Sequence, residues 1–159
     1  MFGTEFRRLF RYLDRLSGEP DLAADLAQEA FVRLHARGTM PERPEAWLVT
    51  VALNLFRNVK TTRARQRRLL TVARAESVLA DPAPSPAQTS ASADASAKVR
   101  VAIDRLPERD RGMLLLLAEG YSYRDIASTL ELKEASIGTL LARAKRAFRE
   151  SYEGDTDAP

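Results

Sequence analysis

The chain has no cysteine, one tryptophan and one histidine among 159 residues. Without cysteine there can be no disulfide, thiolate metal site or thiol nucleophile, and the composition fits a cytoplasmic protein. No apolar run approaches the roughly 20 residues that a membrane-spanning helix needs, so no membrane insertion is expected. Met1 leads into an arginine-rich amphipathic segment rather than an apolar stretch, and no secretory signal is expected. There is no glycine-rich phosphate loop. The lone His35 falls at a predicted helix end, where a surface position is expected. These gaps disfavour an enzyme and leave no expected cofactor or metal site.

Charge is present in quantity and unevenly spread. Residues 1–80 carry 14 Lys and Arg against 9 Asp and Glu, and residues 98–150 carry 11 against 8. The rest of the chain is acidic. Two basic blocks on either side of an acidic spacer suggest two surfaces for a polyanion. Between residues 57 and 68 there are six Lys or Arg and no acid, a pattern suited to tracking a phosphate backbone.

The apolar periodicity is helical throughout. Phe6, Leu9, Phe10, Leu13 and Leu16 form one stripe, which ends at Ser17-Gly18. Asp21 is the expected cap of a second helix, with Leu22, Leu26, Phe31 and Leu34 inward and Gly38 as its stop. A third helix starts after Pro44, with Trp47, Leu48, Val51, Leu55 and Val59 as its core stripe, and is expected to run towards Leu79. Residues 80–97 hold three prolines and otherwise mostly Ala, Ser and Thr, and are expected to be a flexible linker. Four shorter helices follow. The last two are joined by the tight turn Glu131-Leu132-Lys133, where a glycine would be usual. Ala127 at the helix contact, with Ile126, Leu130, Leu132, Ile137 and Leu141 locking the second helix, reads as a helix-turn-helix.

The second helix of that pair, KEASIGTLLARAKRAFRE, separates cleanly into faces. Ile137, Leu140, Leu141, Ala144 and Phe148 fall on one side; Ala135, Gly138, Thr139, Ala142 and Arg146 fall on the other, flanked by Ser136, Arg143 and Arg149. Small residues on the solvent side allow close approach to a groove, and the basic second half suits phosphates. Gly138 costs about 1 kcal/mol in a helix interior, a cost from which a purely structural helix gains nothing visible.

The motifs DLAQEAFVRL, AWLVTVALNLF, LPERDRGMLLL, GYSYRDIASTL and LLARAKR, in that order, resemble the extracytoplasmic-function (ECF) sigma factors of the sigma-70 family. The resemblance covers residues 4–150. It implies an all-α chain of two small helical domains: residues 1–79 for core polymerase and the minus-ten element, and residues 98–150, a helix-turn-helix, for the minus-thirty-five element. Residues 80–97 would be the flexible linker and 151–159 a disordered acidic tail. It implies that Asp25, Gln28, Glu29 and Phe31 dock on the clamp helices of the largest polymerase subunit, with carboxylates left unpaired inside the chain. Trp47, Asn54, Arg57, Asn58, Lys60, Arg63 and Arg65 would meet minus-ten DNA, with Arg67 and Arg68 on phosphates and Phe56 as a further aromatic near the melted strand. Lys133, Glu134, Ser136, Thr139, Arg143 and Arg146 would meet the upstream element. Core RNA polymerase, including its flap, promoter DNA and an anti-sigma protein are the implied partners. The chief alternative on residues alone is a stand-alone helix-turn-helix regulator.

Overall fold

The computed structural model describes residues 2–74 and 91–157, and every regular element among them is an α-helix. The N-terminal half contains α1 (Phe2–Ser17), α2 (Pro20–Arg37) and α3 (Pro44–Arg74). The C-terminal half contains α4 (Ala91–Asp104), α5 (Glu108–Ala118), α6 (Tyr123–Leu130) and α7 (Glu134–Asp157).

The helix ends follow local chemistry. Gly18 and Gly38 adopt left-handed φ of 72° and 79°, terminating α1 and α2 where an L side chain would be strained. Asp21 does not cap α2: Glu19 holds the N-cap position and Pro20 follows it, leaving Asp21 in the first turn. There its charge still complements the positive helix end. Residues 80–90 of the expected linker, and the expected continuation of α3 over residues 75–79, lie outside the described residues. Residues 91–97 are not linker but the first half of α4, whose Ala-rich run favours helix. The expected disordered tail is likewise helical from Ser151 to Asp157. Two contacts support this extension: the Ser151 hydroxyl donates to the Ala102 carbonyl at 3.3 Å, and Phe148 stacks with Tyr152 at 6.0 Å.

Buried residues from both halves join in one apolar cluster. Leu9, Leu13 and Leu16 of α1, Leu26 and Leu34 of α2, and Ile137 and Leu141 of α7 are buried as their periodicity predicts. The stripe expected on α3 is displaced. Leu48 is buried, but Trp47, Val51, Leu55 and Val59 are only partly covered, and the other buried positions are Ala46, Val49, Ala52, Leu53 and Phe56. The reason is tertiary: α1 and α2 pack against α3 within the N-terminal half and α6 packs against it from the C-terminal half, so α3 is covered from two directions.

Candidate nucleic-acid interface

The helix-turn-helix is built from α6 and α7. Ser122 starts α6 with a capping box: its hydroxyl accepts from the Asp125 N–H at 3.0 Å, and the Asp125 carboxylate accepts from the Ser122 N–H. The turn is made by Glu131 at φ 57°, ψ 46°, with the Leu132 N–H donating to the Ala127 carbonyl at 2.9 Å. A glutamate therefore occupies the left-handed position usually given to glycine, and the motif keeps its geometry despite that departure. Ala127 is 7% exposed at the helix contact.

On α7, Ile137, Leu141 and Ala144 are buried, while Leu140 packs partly against the core. Lys133 in the preceding turn and Glu134, Ser136, Thr139, Arg143 and Arg146 are all exposed, as are Ala135, Gly138 and Ala142. The small-residue face thus lies in solvent. A Cβ built on Gly138 would meet only the Tyr123 ring, at 3.8 Å, so nothing inside the chain requires glycine there.

The basic face of α3 is also exposed at Asn54, Arg57, Asn58, Lys60, Arg63 and Arg65, but several of these groups are engaged. Arg63 makes a two-point ion pair with Glu19 at 2.5 and 3.0 Å, which lowers the Glu19 pKa and raises that of Arg63. Arg57 faces Glu108 of α5 at 3.6 Å. Lys60 lies over the Phe56 ring at 5.5 Å. Phe56 is only 7% exposed and belongs to the core, so it does not present its ring to a nucleic-acid strand in this conformation. Trp47 is half-buried beneath Arg37, whose guanidinium lies 5.7 Å from the ring centroid.

On α2, Asp25, Gln28 and Glu29 share an exposed face. Glu29 is not unpaired: Arg33 one turn on donates to it at 3.0 Å. Phe31 is half-buried against Phe6, with ring centroids 5.7 Å apart, and lines a groove with Leu34, His35 and Met40. Val32, 53% exposed, continues the Asp25–Gln28–Glu29 face and was missed in the sequence reading. Its i+7 spacing from Asp25 was the available signal. Among the described residues no group of three or more His, Asp or Glu could hold a metal ion, and no helix is long and apolar enough to cross a membrane.

Two family models match the chain: sigma-70 region 2 over residues 1–69 and sigma-70 region 4 over residues 96–148. It is 31% identical over 146 residues to the ECF RNA polymerase sigma factor SigE of Mycolicibacterium smegmatis, covering 90% of this chain and 56% of that relative. It is 33% identical over 140 residues to the ECF RNA polymerase sigma factor EcfG of Rhodopseudomonas palustris, covering 83% of this chain and 70% of that relative. Among solved structures, the sigma factor RpoE of Bartonella quintana, crystallised in complex with the anti-sigma factor NepR, superposes with a TM-score of 0.66 at 25% identity. That match covers 94% of this chain and 92% of the other. With both regions matched in order and the helix-turn-helix in place, the chain belongs to the ECF sigma factors of the sigma-70 family.

Proposed function

We propose that the chain is a dissociable initiation factor, without catalytic activity of its own, that directs core RNA polymerase to specific promoters and helps open the DNA. The observation that carries this reading is the arrangement of α7: its small and basic residues face solvent while the apolar stripe is buried. Small side chains let the backbone come close to a groove, and the arginines on the following turns suit phosphates. The N-terminal half supplies the complement. Asp25, Gln28 and Glu29, extended by Val32, form the surface for the polymerase clamp helices. Asn54, Arg57, Asn58, Lys60, Arg63 and Arg65, with Trp47, form the minus-ten surface. The pairing of Arg63 with Glu19 is exposed on both sides, so phosphate oxygens can displace the carboxylate at little cost.

The Bartonella relative is bound by an anti-sigma factor, and we extend that mode of control to this chain. A soluble, cytoplasmic location goes with the reading.

Run-off transcription with core polymerase and a promoter library tests it. Promoter-selective initiation dependent on the protein is expected; initiation no more selective than core polymerase alone would reject it. Within that assay, Arg143→Ala and Arg146→Ala should weaken promoter binding more than Thr139→Ala. The reverse order would show that the helix reads bases through Thr139 rather than anchoring through its basic half.

A further inference from the structure

No acid lies between residues 57 and 68, so a carboxylate that reaches Arg63 has to come from elsewhere in the fold. It comes from Glu19, in the turn between α1 and α2. Its two oxygens accept from the two terminal nitrogens of Arg63 at 2.5 and 3.0 Å.

Glu19 occupies the N-cap position of α2, yet its side chain makes no capping hydrogen bond. Serine, threonine, aspartate or asparagine would serve that position better, so the cap does not explain a glutamate there. The carboxylate is directed onto α3 instead. Its backbone is fixed on both sides. Gly18 lies in the left-handed region at φ 72°, the Glu19 N–H donates to the Ser17 hydroxyl at 3.0 Å, and the Glu19 carbonyl accepts from the Ala23 N–H at 2.9 Å. The side chain therefore reaches Arg63 from an ordered base.

Stability does not explain the pair either. Both side chains remain nearly half exposed, at 44% and 46%, and pairs of that kind contribute little to folding. What sets it apart is its shape. A guanidinium that meets two carboxylate oxygens side by side presents the same fork of donors that it would offer to two phosphate oxygens. The groove that holds the pair is also lined by Asp21 and Asp25, which add negative charge next to it. The hydrogen bond from Arg63 holds the Glu19 carboxyl below the ordinary carboxylate range, so it is charged at neutral pH.

We propose that Glu19 occupies the phosphate seat of Arg63 and thereby sets the affinity of this chain for a nucleic-acid backbone. The inference rests on the reading of Arg63 as part of the minus-ten surface. Carboxylate and phosphate cannot hold the same guanidinium at once, so the phosphate must displace the carboxylate and then lie beside it. Apparent affinity falls with the fraction of Arg63 already taken. Because the contact is to phosphate, the loss is the same for any base sequence. Exchanging one anion for another also leaves the local charge unchanged, which withholds the counterion release that a free arginine would give. The pair thus lowers retention on unrelated nucleic acid without weakening any contact to a base.

Fluorescence anisotropy of the full chain with labelled oligo(dT) and oligo(dA) strands tests this. Glu19→Gln should tighten binding to both strands by the same factor, roughly two- to fivefold at low salt, with helix content unchanged. The slope of log affinity against log salt should steepen by about 0.7. Removing any negative charge favours DNA to some extent, so the decisive comparison is made without the arginine. In an Arg63→Gln background, Glu19→Gln should lose most of its effect. An equal gain in both backgrounds would reduce the effect to net charge and overturn the proposal. An unchanged or weaker affinity in folded Glu19→Gln protein would overturn it as well, as would a gain confined to one strand. If the affinities move as expected but neither version gives promoter-selective initiation with core polymerase, the proposed function fails and the phosphate seat stands. If initiation is selective while the affinities stay fixed, this inference alone fails.

Discussion

Replacing Gly138 by alanine separates two demands on α7 that usually run together. The residue is exposed, is absent from the positive-φ glycines and lies inside a 24-residue helix, so alanine meets no backbone strain. The added methyl touches only Tyr123, at ordinary van der Waals distance. The intrinsic helix preference for alanine over glycine is about 1 kcal/mol, and for a chain of this size that corresponds to a rise in Tm of about 2–4 °C. The same methyl stands on the face proposed to enter the groove. Affinity for an upstream-element duplex should therefore fall, by roughly three- to tenfold, or about 0.7–1.4 kcal/mol. Circular-dichroism melting and fluorescence anisotropy on a labelled duplex measure the two effects independently. A lower Tm would refute the packing argument. A higher Tm with unchanged or tighter DNA binding would refute the idea that Gly138 is kept for close approach.

Other expectations follow from single contacts. Glu131→Gly should stabilise the protein by about 0.5–1 kcal/mol in urea unfolding, because the left-handed backbone at φ 57° penalises any side chain with a Cβ; a loss would mean that the glutamate makes a compensating contact. Tyr12→Phe removes a buried hydroxyl without a partner and should be neutral or stabilising by up to about 1 kcal/mol. A clear loss in the same assay would show that the hydroxyl is hydrogen-bonded in solution. Glu19 should titrate below the ordinary carboxylate range, since its hydrogen bond and charge contact with Arg63 favour the ionised form. A lowered folded pKa gives stability that is present above the unfolded value and lost as pH falls through the folded one. Carbon-detected NMR titration should show the Glu19 midpoint rising towards normal in Arg63→Ala or at high salt, and an unmoved midpoint would dissociate the two residues.

Much of the fold was legible because its signals are local. Helix stops at Gly18 and Gly38, and the faces of α7, need only spacing and backbone preference. What the sequence reading lost was non-local. Alpha-helix α3 carries apolar residues on more than one side, from Trp47 to Val59, and periodicity alone could not say that Leu53 and Phe56 face a second helical unit. Nor could it distinguish Arg11, Arg15 and Arg43 from ordinary solvated arginines, since their partners lie 82 to 108 residues away. The residues proposed to bind DNA and polymerase were found by resemblance together with helical-face geometry. Val32 escaped because an exposed valine leaves no charge signature, and the engagement of Arg57 and Arg63 escaped because their carboxylates belong to other helices.

Asp125 closes the capping box of α6 while also pairing with Arg43. The first contact lies within four residues and the second spans the molecule, so they respond to different events. Loss of the ion pair would leave the cap in place, so the first turn of α6 does not depend on the long-range contact. The same position makes aspartate hard to replace. Asparagine would preserve much of the cap while discarding the charge, so Asp125→Asn would give up the pairing with Arg43 without unravelling the start of α6, whereas alanine would lose both at once.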